Sequence, residues 1–371
     1  MQIDLPTPML AGLSPAQFMR KHWQKKPLLV RQAFRGATPP ASLKELAALA
    51  SRDDVESRLV TAFGGDWKLK HGPIARLPAM SKPGWTLLVQ GLDQHLPQAR
   101  ALLDLFRFAP DARLDDLMLS IASDGGGVGP HFDSYDVFLI QLGGRRRWRI
   151  GAQKDAVLRD DVPLKIIANF KPEQDFVLEA GDMLYLPPGW AHDGIAVGPG
   201  CFTASVGFRA SSAEGLAAEL LPRLLDDVDS AGKLYADPRQ PATTEPARVP
   251  ADLLAFARRA VEAAVQRPKA LERALGEALT EPKPTVWFEV SDPLPSGLGA
   301  MLDRRSRMLY DDAHVFLNGE SFRAAGRDAT LMRRLADARQ LTPREVERLS
   351  PGARELLDQW TEDGWVQPWQ P

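Results

Sequence analysis

The feature that most restricts how this chain can fold lies between about residues 114 and 210, where short apolar runs alternate with glycine and proline: LMLSIAS, DGGGVGP, DVFLIQL, GG, RRRWRI, FVLEAGDMLYLPPGWAHDGIAV and CFTASVGF. Several short strands at this spacing predict an all-β sandwich or barrel. Within it, GPHFDSYDVFLIQLGGRRRWRI (129–150) reads as a hairpin with His131 and Asp133 at its head, a Gly-Gly turn, and four arginines in five residues beyond.

The flanks are different. Residues 1–110 carry helix-like pieces (SPAQFMRKHW, ASLKELAALA, LDQHLPQARALLDLF), with Ser14 and Ser42 placed as N-caps and one short apolar segment, PLLVRQAF. They predict a helical lead-in packed on something else. After Ser211, leucines 216, 220, 221, 224 and 225 make one apolar stripe that Pro222 interrupts without hiding. A polar, proline-bearing loop (226–250) and a second helical stretch broken near Pro268 follow. The stripe either packs on its own domain or forms a dimer interface. From about 284 onward, short strands (TVWFEV, RMLYDD, HVFLNGESF) mix with helices in an order that suits a small winged-helix domain.

Composition bounds the function. With 371 residues, 44% hydrophobic and 25% charged, the chain has ordinary globular composition and length for two or three domains. The single cysteine, Cys201, excludes a disulfide framework, and no apolar leader or long apolar run indicates export or membrane spanning, so the cytoplasm is expected. A formal charge of −2 gives no global pull toward nucleic acid. Residues 295–371 hold eleven arginines and no lysine against twelve acidic residues, a balance of −1 that is poorly suited to a DNA backbone.

In a strand beginning near Gly129, His131 and Asp133 would point the same way, and His192, after LPPGW, supplies a third ligand. Two imidazoles and a carboxylate on one face of an octahedron suit non-haem Fe(II) and leave positions open. Zinc is the rival metal. The plain reading of His22, His71, His95 and His314 is structural or solvated. Beyond the Gly-Gly pair, alternation puts Arg146, Trp148 and Ile150 on one face and Arg145, Arg147 and Arg149 on the other, a solvated or domain-contacting face. An arginine sharing a face with two bulky apolar residues needs an anionic partner, and no acidic residue alternates onto an obvious neighbouring position. A dicarboxylate that chelates iron and meets Arg146 with its far end answers the need, as 2-oxoglutarate would. The SDGGGVG loop lacks the following helix and Gly-Lys-Ser/Thr of a phosphate cradle and reads as a close-approach loop.

HWQKKPLLVRQAF, GGGVGPHFDSYDVF, GRRRWRIG, EAGDMLYLPPGWAHDG and SVGFRA together resemble the JmjC-type bacterial ribosomal oxygenases, 2-oxoglutarate- and Fe(II)-dependent arginyl hydroxylases of a large-subunit ribosomal protein. The resemblance is strong through residues 15–210. It implies an α+β chain: a double-stranded β-helix (cupin or JmjC jelly roll) with its helical lead-in over 1–210, a helical dimerisation region over 211–283, and a winged-helix domain over 284–371. It further implies His131, Asp133 and His192 as iron ligands and Arg146 as the residue that holds the cosubstrate carboxylate, with Met118 and Ser120 as candidates for the cosubstrate wall. An arginine substrate would be received by Asp124, Tyr135 and Asp136. The partners implied are a ribosomal protein as substrate and a second copy of the chain, with neither DNA nor membrane. A histidyl hydroxylase or lysyl demethylase on the same scaffold, or a non-catalytic sensor of metal and organic acid, are the alternatives.

Overall fold

The computed structural model describes residues 2–63, 66–226 and 234–370, so part of the expected 226–250 loop lies outside the described residues. Packing divides the chain into two units, Met1–Ala210 and Ser211–Pro371.

The first unit is built on strands β1 (Leu28–Val30), β2 (Ser57–Phe63), β3 (Asp66–His71), β4 (Trp85–Val89), β5 (Leu114–Ala122), β6 (Val137–Gly151), β7 (Gln174–Glu179), β8 (Met183–Leu186) and β9 (Ala191–Phe208). They form one antiparallel sheet in the order β1-β8-β6-β9-β5-β4-β2-β3, with β7 added to β6. Helices α1 (Pro15–Lys21), α2 (Leu43–Ala50) and α3 (Pro97–Asp104) accompany it; Ser14 with Gln17 and Ser42 with Glu45 make full capping boxes that fix where the first two begin. The N-terminal region is therefore more than a helical lead-in. It contributes four strands, three of which (β4, β2, β3) extend the sheet beyond β5. The short, charge-bearing sequences of β2 and β3 (SRLVTAF, DWKLKH) take strand form through pairing with each other and, for β2, with β4, which itself joins β5, a tertiary cause that local pattern does not carry.

β6 corrects the hairpin reading. Gly143 and Gly144 do not reverse the chain: β6 runs unbroken for 15 residues against β9. The register slips at the glycines, so that two residues of β6 face one of β9 between the Gln141↔Thr203 and Gly143↔Phe202 pairs. At Gly144 (φ 60°) a Cβ would stand 2.8 Å from the Gly200 carbonyl oxygen, so only glycine fits. The unbroken apolar run VFLIQL is explained by burial on both faces. Phe138 joins a cluster with Phe18, Phe106, Tyr185 and Phe208, whereas Val137 and Leu139 pack with Trp148, Ile150 and Leu184.

The second unit opens with α4 (Ala213–Asp226), which Pro222 does not break, followed by α5 (Ala251–Val265) and α6 (Ala270–Thr280), separated at Pro268 as expected. The leucine stripe divides. Leu220 and Leu224 pack on Ala270, Ala274 and Ala278, while Leu221 and Leu225 are exposed. A Cβ on Gly276 would strike the Phe316 ring at 2.4 Å, so α6 belongs to the same packed body as the C-terminal strands. These are β10 (Gly299–Leu302), β11 (Met308–Tyr310), β12 (His314–Leu317), β13 (Glu320–Arg323), β14 (Gln340–Leu341) and β15 (Val366–Trp369), in two three-stranded sheets with α7 (Gly326–Ala338), α8 (Pro343–Val346) and α9 (Pro351–Glu362). TVWFEV forms no strand. Trp287 and Phe288 instead stack beneath the Arg305 guanidinium, 5.8 and 5.5 Å away.

Candidate metal centre and cosubstrate cavity

His131 and Asp133 do not lie in a strand, contrary to the sequence expectation, because β6 begins only at Val137. A single antiparallel bridge supplies the order instead. His131 N donates to His192 O (2.9 Å) and His192 N to His131 O (2.7 Å), and Gly189 N donates to Asp133 O (2.8 Å). Six backbone groups of two remote segments thus pin the three side chains together. Their ligand atoms all lie within 4.8 Å of one another, with Asp133 Oδ2 3.7 Å from His192 Nε2.

The imidazoles are oriented from behind. The Gly129 carbonyl takes Nδ1 of His131 (2.8 Å) and the Trp190 carbonyl takes Nδ1 of His192 (2.9 Å), which leaves Nε2 of each as the donor atom. Burial and the adjacent His131 push the His192 imidazole well below its usual range, so it is neutral at pH 7, the form that binds a metal. Among the described residues this is the one cluster of His, Cys, Asp or Glu with such geometry.

The triad opens into a cavity of about 470 Å³ whose lining also includes Arg146, Met118, Ser120 and Tyr135. Arg146 is 4% exposed, on the inward face assigned to it. Its Nε donates to Thr203 Oγ1 and its Nη1 to Gly194 O, both at 3.0 Å, while Nη2 is buried with no partner. Thr203 is itself fixed, donating to Gln141 Oε1 (3.0 Å). A braced guanidinium with one spare donor and no carboxylate ligand of its own fits the far carboxylate of an organic diacid. The donor set of the triad fits Fe(II) equally well. Arg147 and Arg149 behave as the outward face requires, pairing with Asp175 and Asp193.

Met118 and Ser120 line the same cavity; Ser120 Oγ donates to Thr203 O (3.1 Å). Tyr135 lines it as well, and burial together with the Asp133 carboxylate raises its phenol, which stays protonated. Two candidates for the substrate wall are placed elsewhere. Asp136 is fully buried and its carboxylate is consumed by Tyr185 Oη (2.6 Å), Gln24 Nε2 (3.0 Å) and Arg113 (3.3 Å). Asp124 accepts from Gly198 N (2.7 Å), a loop-fixing contact outside the lining. The acidic wall is made instead by Asp115 and Asp116 of β5, facing Arg58, His71 and Gln90 from the N-terminal strands. Gln90 Nε2 donates to both oxygens of Asp116 at 3.0 Å. Nothing in the local sequence singles out these residues, and His71, read as structural or solvated, joins the lining through the same strands.

Comparison with known proteins agrees with this geometry. Residues 101–216 match the model of a JmjC domain and residues 263–367 that of a ROXA-like winged helix. The chain is 35% identical over 323 residues to the ribosomal protein uL16 3-hydroxylase of Escherichia coli K12, covering 84% of this chain and 86% of that protein. It is also 35% identical over 241 residues to a probable ribosomal oxygenase of Haemophilus influenzae, covering 61% of this chain and 55% of that one. The solved structure of the ribosomal oxygenase YcfD from E. coli in complex with cobalt and 2-oxoglutarate superposes with a TM-score of 0.82 at 31% identity, over 96% of this chain and 98% of that one. A triad able to hold one ion, a buried guanidinium in the same cavity and a winged helix downstream thus have one common source: the chain belongs to the JmjC-type ribosomal oxygenases, which depend on iron and 2-oxoglutarate.

Proposed function

We infer that this protein hydroxylates an arginine side chain of a large-subunit ribosomal protein. The observation that carries the substrate class is the pairing, in one cavity, of the His131–Asp133–His192 triad with the buried carboxylate of Asp116 and the phenol of Tyr135. A guanidinium is the side chain that a carboxylate backed by an aromatic hydroxyl receives best. The E. coli relative is named for hydroxylating uL16, which makes that protein the first substrate to test.

When bound, ferrous iron and 2-oxoglutarate supply the oxidising chemistry, in which dioxygen and the diacid become succinate, carbon dioxide and a new hydroxyl on the substrate carbon. The chain's own residues provide placement. His131, Asp133 and His192 would hold the ion, Arg146 would seat the distal carboxylate, and Asp116 with Tyr135 would hold the target residue in the same cavity. Val60, Leu69, Leu88, Val137 and Leu139 line the space between and keep it apolar. No side chain is required to shuttle a proton. Succinate production with a uL16-derived peptide, together with a 16 Da gain on one arginine, tests the reading (one oxygen atom, as in any such oxidation). Turnover on histidine peptides alone would replace arginine as the target.

The same reading places the work in the cytoplasm and makes the active form a homodimer. Leu221 and Leu225 of α4 and Leu254 and Val261 of α5 are exposed apolar residues on amphipathic helices, which a second copy would cover. No helix of the described residues is long and apolar enough to cross a membrane. The charge balance of the C-terminal domain favours protein contact over DNA. Light scattering on the wild type and on Leu225→Glu decides the dimer: a monomeric wild type would overturn it.

A further inference from the structure

Arg146 is not the only buried donor in the cavity without an acceptor. The indole Nε1–H of Trp148 has none either, although the residue is only 6% exposed and its ring lines the cavity. A buried indole N–H ordinarily finds a partner, because leaving it unpaired costs the desolvation of the group. Its place along β6 indicates what the partner is. Arg146 and Trp148 are two apart on the inward face, and the strand pairs Ile150, two further on, with the metal ligand His192. The indole therefore lies midway between the cation and the metal end: its ring is 5.9 Å from the Arg146 Cζ and 5.8 Å from the His192 ring. A diacid that spans those two ends must run along this ring.

The position of the ring is fixed from below. Trp148 is the cross-strand partner of Gly194, where a Cβ would come within 2.6 Å of Cη2 and Cζ3 of the indole, so the six-membered ring rests directly on bare backbone. The carbonyl oxygen of that same Gly194 accepts from Arg146 Nη1. One glycine thus sets both the guanidinium and the indole, and the latter cannot swing away to satisfy its N–H elsewhere.

We propose that Trp148 is a positioning residue for the cosubstrate, its Nε1–H donating to a carboxylate oxygen of bound 2-oxoglutarate while its ring forms the floor under the carbon chain. Trp148→Phe keeps a ring on Gly194 and removes the N–H. With cobalt in place of iron and without oxygen, calorimetry should show 2-oxoglutarate binding weakened about tenfold to a hundredfold, the value of one hydrogen bond to a charged acceptor, with cobalt affinity unchanged. Equal 2-oxoglutarate affinity in the two proteins overturns the proposal, as does a parallel loss of cobalt affinity, which would mean that the indole acts only by supporting His192. Arg146→Lys is the control. If it too leaves 2-oxoglutarate binding untouched, the diacid seat itself is wrong, a failure distinct from that of Trp148 alone. Should the phenylalanine variant not fold, the wild type still decides: among its nine tryptophans, one indole N–H resonance of the zinc-loaded, ¹⁵N-labelled protein must move downfield on adding 2-oxoglutarate. No such movement overturns the assignment.

Discussion

The two walls of the catalytic cavity were made in different ways. The metal wall comes from residues close in sequence to recognisable punctuation: His131 after a glycine loop, His192 after a proline turn, Arg146 in a basic run. The other wall comes from β2, β5 and the residue that follows β4, where Arg58, Asp115, Asp116 and Gln90 stand in segments with no motif at all. On the proposed reading, cosubstrate chemistry is concentrated where the chain is most patterned, and substrate contact where it is least so. Such a division would let one oxidising centre serve different substrates by changing strands that carry none of the proposed iron ligands.

Breaking the metal wall should have the largest consequence. His131→Ala or Asp133→Ala removes one of three protein ligands, and iron-dependent 2-oxoglutarate turnover should fall to background; turnover at the wild-type level would remove these residues from the metal. Across the cavity, Asp116→Asn should lower kcat/KM for the peptide by roughly 100-fold, about 2–3 kcal/mol for a charge-assisted contact. 2-Oxoglutarate affinity should be unchanged in that variant, and a loss of it would erase the distinction between the walls. Arg146→Lys should raise the KM for 2-oxoglutarate by roughly 10-fold, because an ammonium cannot reproduce the fork braced on Thr203 and Gly194.

A smaller effect lies behind the substrate wall. Asp93 is fully buried and accepts from Leu117 N (2.9 Å); burial, then the neighbouring Asp116 charge, raise its carboxyl from 3.8 to about 6. A raised folded value means that this group's contribution to stability is complete below about pH 3.8 and is lost as pH rises through about 6. Asp93→Asn, which keeps an acceptor for Leu117, should therefore gain on the order of 2 kcal/mol over the wild type at pH 8 and nothing near pH 4, read from denaturant midpoints. On the outward face of β6, Arg147→Ala should leave the denaturant midpoint unchanged, since its pair with Asp175 is exposed on both sides; a clear drop would mean that this face is covered.

Most of the metal wall was legible in the sequence. The H-x-D spacing, the later histidine and the alternation Arg146, Trp148, Ile150 all describe relations between near neighbours, and the structure brings those residues together as expected. The local geometry behind them was not legible. A hairpin and a bulged strand both call for a Gly-Gly pair, and only the presence of β9 alongside, with its own glycines at 198 and 200, turns the former into the latter. Asp124 and Asp136 show the same limit from the other side. Both are near the metal in sequence, yet Gly198 takes one and Tyr185, Gln24 and Arg113 take the other, partners from remote segments.

By itself, then, the sequence singled out the side chains proposed to hold the iron and the diacid, because ligand type, spacing and strand alternation are local properties. The tertiary structure decided which way they face. Val137 and Leu139 line the cavity from odd positions and Arg146 and Trp148 from even ones, and the bulge at Gly143 and Gly144 makes the change. A strand without that extra residue would aim Arg146 at the side occupied by Phe138, since side chains alternate strictly and a slip of one reverses the face. Such a slip is set by hydrogen bonds to a strand some 60 residues away in the chain, as between Gln141 and Thr203, and no local pattern records it.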